Sequence, residues 1–459
     1  FNGLRDFLVS HNFRPTDILL SDYFTLRDDV RIEDVAARMN DVLQARIDSG
    51  VLKVPFDLIV HSTGGLVARE WISRFYPNGT GCPVKRLIML APANFGSDLA
   101  ATGKSMLGRV LKGWNNWFEV GKAMLDELEL ASPYLWDLAC RDLLDQMDDG
   151  RPGPYGPDRI MPFVIVGTRG YRQGPRRIVD EPGADGTVRC AAANLNAIGL
   201  TIDFSTDNEQ PKITPWRRRA AVEFPFAVLP DRNHSTICNP DTDPDLDGIE
   251  DLLGNCILDA LKCSDADDYQ TMAKVWDTIS ESTCRMLESP EKVEALFGTE
   301  RPTSADSNSL HQYFQVVISV RDTHGQRVPD YFIEFFSPEV AGTSDFELFH
   351  TEVLDDVHVN LLDASARCLF IDRTDLEKKF YHLRPKIRTL AMSLSAANPG
   401  PNVQYFESQA VGAQGKLTIH KEYMDGSDTL NGARLRRNRT HLVEIIIPRN
   451  PVVDVFKLT

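Results

Sequence analysis

The chain has 459 residues, of which 42% are hydrophobic and 25% charged, as in an ordinary globular protein of two or three domains. Its net charge of −16 argues against nucleic-acid binding and against electrostatic docking on anionic membranes. This charge is compatible with apolar contact with a lipid surface. No apolar run approaches the length of a membrane span, so a soluble protein is expected. Nothing in the composition indicates the compartment or the oligomeric state.

The first 260 or so residues alternate short apolar runs with helical patterns, which predicts an α/β unit with a parallel sheet. The chain begins at Phe1 inside a predicted helix (residues 1–11), and we interpret it as N-terminally truncated. An amphipathic helix is predicted over residues 30–50. The predicted strands are residues 17–23, 56–61, 86–91, 163–168 and 224–230.

Residues 56–67 (FDLIVHSTGGLV) predict a buried strand, a tight turn that carries a serine, and the start of a helix. In this geometry Ser62 lies at the carboxyl edge of the sheet, and the N–H of Thr63 can bind an oxyanion. Strand and helix pass closely, so small residues are needed on both sides of the serine. Gly64 meets that need, whereas Val60 stands where glycine is commoner. The alternative is an ordinary strand-to-helix turn capped by a serine.

Residues 101–148 predict a long helical insertion with many apolar side chains. Its place beside the serine turn is compatible with a lid over an active site. Helices packed into a larger core would have the same pattern, and the sequence does not separate the two.

A serine hydroxyl becomes a good nucleophile when a histidine takes its proton and an acid orients that histidine. In α/β folds these partners follow the serine in the order acid, then histidine, each in a loop after a later strand. His234 follows the predicted strand 224–230, and Asp185 follows the strand 163–168. A turn at Gly186 would direct the Asp185 carboxylate back toward the sheet edge.

Other residues near these positions leave alternatives open. Asp180, Glu181 and Asp231 could each supply the acid, although Asp231 is too close to His234 to come from a separate loop. His61 precedes the serine and is expected to point away from the site, as a strand residue and not the base. A histidine in a loop can also be merely solvated.

A calcium-loop spacing of alternate carboxylates followed by Gly248 occurs later in the chain, at Asp243, Asp245, Asp247 and Asp251. The bidentate acid expected at the twelfth position is replaced by Gly254, and a proline stiffens the loop. The alternative is an acidic N-terminus of the following helix, which the helix dipole favours.

The sequence changes character after residue 263. Residues 264–297 predict helix, and residues 298–308 read as a linker. Alternating patterns beyond it predict an antiparallel β-sandwich. The predicted divisions are therefore residues 1–263 (α/β), 264–304 (helical segment and linker) and 305–459 (all-β, sandwich-like).

Four segments together resemble the α/β-hydrolase lipases and esterases, with the nearest similarity to bacterial lipases and GPI inositol-deacylase-like proteins. They are residues 60–69 (VHSTGGLVAR), 87–97 (LIMLAPANFGS), 185–188 (DGTV) and 233–235 (NHS). The resemblance covers about the first 260 residues. It implies an α/β-hydrolase catalytic domain over residues 1–263, with Ser62 as nucleophile, Asp185 as acid and His234 as base. Thr63 N–H would be half of the oxyanion hole; in this family the other donor comes from a loop that would precede Phe1.

These observations predict a serine hydrolase that cleaves carboxylic esters through an acyl-enzyme, with a lipid or another acylated apolar molecule as substrate. No cofactor is expected, and the predicted partners are the ester substrate and, at most, a membrane surface. One alternative passes the acyl group to an alcohol with the same three residues. Another is an inactive α/β-hydrolase fold that serves as a binding module.

Overall fold

The computed structural model describes most of the chain. The described residues are 2–17, 29–98, 121–171, 181–240, 252–286, 310–336, 347–381, 389–406, 415–420 and 436–452. The four aspartates of the calcium-loop spacing (Asp243, Asp245, Asp247 and Asp251) and most of the predicted strand at 17–23 lie outside them.

The helices of the described residues include short and long elements. They are α1 (Asn2–Ser10), α2 (Ile32–Asp48), α3 (Gly64–Phe75), α4 (Lys122–Leu128), α5 (Pro133–Asp142), α6 (Cys190–Ala193), α7 (Leu252–Lys262), α8 (Ala266–Arg285) and α9 (Arg373–Asp375). A 3-10 turn covers Thr236–Cys238, and π-helical turns cover Phe349–Val353 and Leu376–Tyr381. Within this part of the chain no helix is long and apolar enough to cross a lipid bilayer.

The strands fall in both halves of the chain. They are β1 (Phe56–His61), β2 (Val84–Leu90), β3 (Leu144–Asp145), β4 (Met161–Gly167), β5 (Ile198–Asp203), β6 (Lys212–Pro215), β7 (Arg217–Arg218), β8 (Phe226–Leu229), β9 (Tyr313–Asp322), β10 (Tyr331–Phe336), β11 (Leu354–Val359), β12 (Ala366–Asp372), β13 (Thr389–Ala396), β14 (Val403–Tyr405), β15 (Gly415–His420), β16 (Arg439–Ile447) and β17 (Arg449–Pro451).

A four-stranded parallel sheet forms the centre of the first half, in the order β1-β2-β4-β8. Helix α2, within the predicted amphipathic helix at residues 30–50, packs against α3 and buries Ile32, Val35 and Met39 in the core that also contains this sheet. The parallel sheet and this helix confirm the prediction of an α/β unit. Because parallel strands all end at one edge, the loops after β1, β4 and β8 meet there.

A second sheet of six strands differs from the predicted antiparallel sandwich. Its order is β11-β12-β9-β16-β5-β6, and β16 runs parallel to both β9 and β5. Strand β5 belongs to the first half of the chain, and its Ile198 pairs with His441 of β16. Strands from both sides of the predicted linker therefore share one sheet, and the domain division at residues 264–304 stays a prediction.

Both faces of strand β9 are buried, whereas a half-exposed sandwich strand would bury one face only. Phe314 and Ile318 belong to a core shared with the three-stranded sheet β10-β13-β15. Tyr313 and Val317, on the opposite face, belong to the core that contains the parallel sheet. The C-terminal strands thus pack directly against the α/β unit.

The described part of the predicted insertion, residues 121–148, packs into the core beside helix α3. Arg69 of α3 forms two hydrogen bonds with Asp142 of α5, at 2.8 Å and 3.0 Å, and neither side chain is exposed. Residues 99–120 lie outside the described residues, so a lid role of the insertion stays a prediction.

Candidate active site

Ser62 occupies a tight turn between β1 and α3. Its φ angle of 55° lies in the left-handed region, which non-glycine residues rarely adopt. The turn is held by a bond from Ser62 N–H to the Leu90 carbonyl (3.1 Å) and by one from Gly65 N–H to the Ser62 carbonyl (2.9 Å). Such strain is a feature of nucleophile elbows, where it lifts the hydroxyl above the sheet edge.

Close packing around the turn depends on Gly65 more than on Gly64. A Cβ atom at Gly65 would lie 2.7 Å from Cβ of Pro92, a distance that real contacts do not reach. A Cβ atom at Gly64 would lie 3.5 Å from Cβ of Val60, which is ordinary contact. Val60 is therefore accommodated at the position where glycine is commoner.

The N–H of Thr63 lies at the start of α3. Thr63 is the residue that precedes the helix, with φ −54° and ψ −24°. Its N–H comes before the hydrogen-bonded turns, so no carbonyl of α3 can accept it. The expectation that this N–H binds an oxyanion stays a prediction.

Ser62, His234 and Asp185 lie in one line of hydrogen bonds. His234 Nε2 is 3.0 Å from Ser62 Oγ, and His234 Nδ1 is 2.9 Å from Asp185 Oδ2. His234 is 3% exposed and Asp185 is completely buried. The loops after β4 and β8 bring the acid and the histidine to the sheet edge at which β1 ends, as the parallel topology requires.

The Asp185 carboxylate is held by its own loop. Its Oδ1 accepts hydrogen bonds from the N–H groups of Thr187 (3.0 Å) and Val188 (2.8 Å), which leaves Oδ2 directed at His234. Two backbone donors therefore fix the orientation of the carboxyl group. An ionised acid in this place would fix the tautomer of His234 and stabilise its protonated form.

The alternative acids have other partners. Glu181 binds Arg189, with 3.0 Å between Oε2 and Nε, and burial together with the carboxyl group of Asp98 raises the pKa of Glu181 to about 9. Asp231 lies 3.4 Å from the guanidinium of its neighbour Arg232. Asp180 lies outside the described residues. The carboxylate of Asp185 lies 2.9 Å from Nδ1 of the His234 ring.

His61 differs from the expectation that it points away from the site. Its Nε2 lies 3.0 Å from the backbone carbonyl of His234, and the two imidazole rings have centroids 4.7 Å apart. Nε2 of His61 is thus engaged with the backbone of His234, and the expectation that His61 is not the base stays a prediction. The path of the His234 loop over the end of β1 creates this contact, and strand alternation does not reveal it.

Arg189 is a second residue that sequence reasoning missed. It is 5% exposed and lies against Asp98 (3.5 Å), Asp355 (2.5 Å) and the ring of Phe370, whose centroid is 4.1 Å away. Asp355 and Phe370 belong to the C-terminal strands, so Arg189 joins the Asp185 loop to them. The only signal in the sequence was its position four residues after Asp185.

One group of possible metal ligands occurs in the described part of the chain. His311, Asp372 and Asp375 bring their ligand atoms within 4.8 Å of one another. His311 is already bonded to Asp372 (2.6 Å), and Asp375 to Lys379 (2.9 Å), so internal partners account for these groups. The expectation that no cofactor is needed stays a prediction.

No protein-family model matches the chain, and no curated protein matches it by sequence. Among solved structures, phospholipase PlaB from Legionella pneumophila superposes with a TM-score of 0.76 over 100% of this chain and 93% of that protein, at 23% identity. This chain shares the fold of PlaB. A structure of PlaB in complex with thio-NAD gives a TM-score of 0.71 at 23% identity, covering 95% of this chain and 86% of that one.

A Bacillus licheniformis lipase, BlEst2 in mature form, aligns over 46% of this chain and 70% of its own at 16% identity, and its TM-score of 0.27 is too low to support an argument. The PlaB superposition extends through the C-terminal strands as well as the parallel sheet. The expected α/β-hydrolase fold is thereby confirmed for the first half of the chain, and the likeness at this identity concerns the fold alone.

Proposed function

We propose that the protein is a serine hydrolase that cleaves carboxylic esters of lipids or other acylated apolar molecules. The observation that carries the proposal is the continuous line of hydrogen bonds from Asp185 through His234 to Ser62, which has the strained backbone of a nucleophile elbow. Burial of the acid and the histidine supports it further, because a preorganised site loses less energy to reorganisation during the reaction.

The geometry supports an acyl-enzyme mechanism. His234 Nε2 takes the Ser62 proton as Oγ attacks the ester carbonyl carbon, and the Thr63 N–H binds the oxygen that becomes negative. His234 then gives this proton to the departing alkoxide oxygen, which leaves as the alcohol. A water molecule, deprotonated by His234, attacks the acyl-enzyme and releases the carboxylic acid and Ser62. Asp185 stabilises the protonated His234 in both halves, and no cofactor takes part.

The substrate class rests on two supports. The neighbour that superposes over the whole chain is a phospholipase, and the chain's acidic charge is compatible with apolar substrates that carry no strong negative charge. A membrane or micelle surface is the place where such substrates are presented, so we include peripheral contact with lipid in the proposal. We further propose that the C-terminal strands support the Asp185 loop through Arg189.

The test is ester hydrolysis by the purified chain, with Ser62→Ala and the exposed Ser49→Ala as a matched pair. Substrates are p-nitrophenyl butyrate and phosphatidylcholine in mixed micelles, each with and without added glycerol as an acceptor alcohol. We expect release of free acid that Ser49→Ala retains and that Ser62→Ala lowers by about 10³-fold or more. Transfer of the acyl group to glycerol in place of release would assign an acyltransferase. A well-folded protein with no Ser62-dependent turnover would leave the inactive binding module.

A further inference from the structure

His61 is the last residue of β1 and directly precedes Ser62. Its Nε2 lies 3.0 Å from the carbonyl oxygen of His234, and its ring is tilted by 50° against the His234 ring. A carbonyl oxygen can only accept a hydrogen bond, so Nε2 of His61 must carry the proton of this contact. The neutral imidazole in its Nε2–H tautomer satisfies that requirement.

The backbone of His234 is fixed on both sides. Its N–H donates to the carbonyl of Asp185 (2.9 Å), and its carbonyl accepts from His61. Both ring nitrogens are engaged with Asp185 and Ser62. The main chain of His234 is therefore hydrogen-bonded to Asp185 through its N–H and to His61, at the end of β1, through its carbonyl.

The His61 imidazole is expected to be neutral, as its hydrogen bond to the His234 carbonyl allows. Burial and, secondarily, the neighbouring His234 hold the pKa of the His61 imidazole well below its usual value. His61 then remains neutral when His234 carries a proton, so the two rings do not repel each other during the reaction. A protonated residue in this place would instead oppose the formation of the imidazolium that catalysis needs.

We propose that His61 is a positioning residue for the hydrolase reaction, and that its Nε2–H holds the His234 carbonyl so that the His234 ring stays at hydrogen-bond distance from Ser62. The inference rests on the proposed function, because it assigns His234 as the base. A small displacement of a base is costly, since proton transfer requires close and directed contact. The hydrogen bond holds the main chain of His234, and the position of this main chain sets the position of the imidazole ring.

Two substitutions distinguish the effect of the His61 hydrogen bond from the effect of packing by its ring. His61→Phe keeps an aromatic ring of similar size but removes the donor. His61→Gln removes the ring but places an amide N–H close to the position of Nε2. We expect His61→Phe to lower kcat for p-nitrophenyl butyrate about 10- to 100-fold with little change in KM, and His61→Gln to remain within about threefold of the unsubstituted protein.

The outcomes distinguish this inference from the proposed function. If the unsubstituted protein shows Ser62-dependent hydrolysis and His61→Phe equals it in kcat, the positioning role is wrong while the hydrolase stands. Equal losses in the Phe and Gln variants would also contradict it, because they would indicate a need for the ring. If either variant is poorly folded, ¹⁵N-histidine NMR of the unsubstituted protein decides: the Nε2–H tautomer of His61 is expected, and the Nδ1–H tautomer would overturn the proposal.

Discussion

Asp185 and His234 are joined twice, once through side chains and once through the backbone. The carboxylate Oδ2 lies 2.9 Å from Nδ1 of the imidazole, and the Asp185 carbonyl accepts the His234 N–H at the same distance. The two residues lie on different loops and are 49 positions apart in the chain. Their double link means that the orientation of the imidazole depends on the Asp185 loop as a whole and not on the carboxylate alone.

Asp185→Asn tests the assignment of the acid. The amide preserves the shape of the side chain but can favour the wrong tautomer of His234 and cannot stabilise its protonated form. We expect kcat for ester hydrolysis to fall by about 10³- to 10⁴-fold with a modest change in KM. The measurement is steady-state hydrolysis of p-nitrophenyl butyrate, with circular dichroism to verify folding.

Glu181→Gln is the matched control, since Glu181 is an alternative acid in the same loop. Its carboxyl group faces Arg189 and Asp98, and we expect hydrolysis within about threefold of the unsubstituted protein. A large loss in this variant together with an active Asp185→Asn would show that the acid has been assigned wrongly.

Gly65→Ala and Gly64→Ala form a pair at adjacent positions of α3. Alanine favours a helix by roughly 1 kcal/mol over glycine at an interior position, so the contacts of the new methyl group decide the difference. At Gly65 the methyl would lie 2.7 Å from Cβ of Pro92, and we expect a loss of about 1–3 kcal/mol in the free energy of unfolding together with reduced activity. Gly64→Ala is expected to be neutral or slightly stabilising. Urea unfolding of both variants gives the comparison, and equal stabilities would show that α3 does not depend on this close approach.

The turn at Ser62 could be predicted because the residues that form it are adjacent in the sequence. A short apolar strand, a serine and two glycines are adjacent in sequence. The fixed order of acid and histidine then favoured Asp185 and His234, but it left Asp180 and Glu181 open as alternative acids. The contact of His61 with the His234 carbonyl was not predictable in this way. It joins residues 173 positions apart and depends on the path of a loop.

The mixed six-stranded sheet also depends on contacts between distant residues, which local sequence patterns do not predict. Strand β5 was not predicted, and its partner β16 lies more than 200 residues away, at the pairing of Ile198 with His441. Hydrophobic alternation indicates that a segment is a strand, but it carries no information on its partner or direction.

Asp142→Asn tests the packing of the described insertion against α3. The buried Arg69 would lose its charged partner, which typically costs about 3–5 kcal/mol in the free energy of unfolding. Asp137→Asn is the control on the same helix, because Asp137 is 69% exposed and pairs with Arg141 across one helical turn. We expect the control to cost about 0.5 kcal/mol or less. Similar unfolding midpoints in urea for the two variants would contradict this description of the packing.

Glu127 makes stability depend on pH. It is 9% exposed and accepts the N–H of Ile32 at 2.7 Å; burial is the main cause that raises its pKa from 4.5 to about 7. Between these values the folded protein retains a proton that the unfolded chain releases, so the free energy of unfolding falls as pH rises through this window. Glu127→Gln cannot titrate. Relative to this variant, the unsubstituted protein should lose on the order of 2 kcal/mol between pH 4.5 and 7.5.

Urea unfolding at several pH values measures this difference. Parallel pH profiles for the two proteins would show that Glu127 does not hold its proton in the folded state. A difference that grows in the opposite direction, with the unsubstituted protein gaining stability toward pH 7.5, would contradict the assigned direction of the pKa change.

Reaction with a fluorophosphonate tests most directly whether Ser62 is an activated nucleophile. The unsubstituted protein, Ser62→Ala and Ser49→Ala are treated alike, and the modified residue is located by mass spectrometry of proteolytic peptides. We predict a single adduct on Ser62 in the unsubstituted protein and in Ser49→Ala, and none in Ser62→Ala. Absence of an adduct on Ser62 in a well-folded protein, or equal labelling of Ser62→Ala, would contradict the assignment of this site as a serine hydrolase.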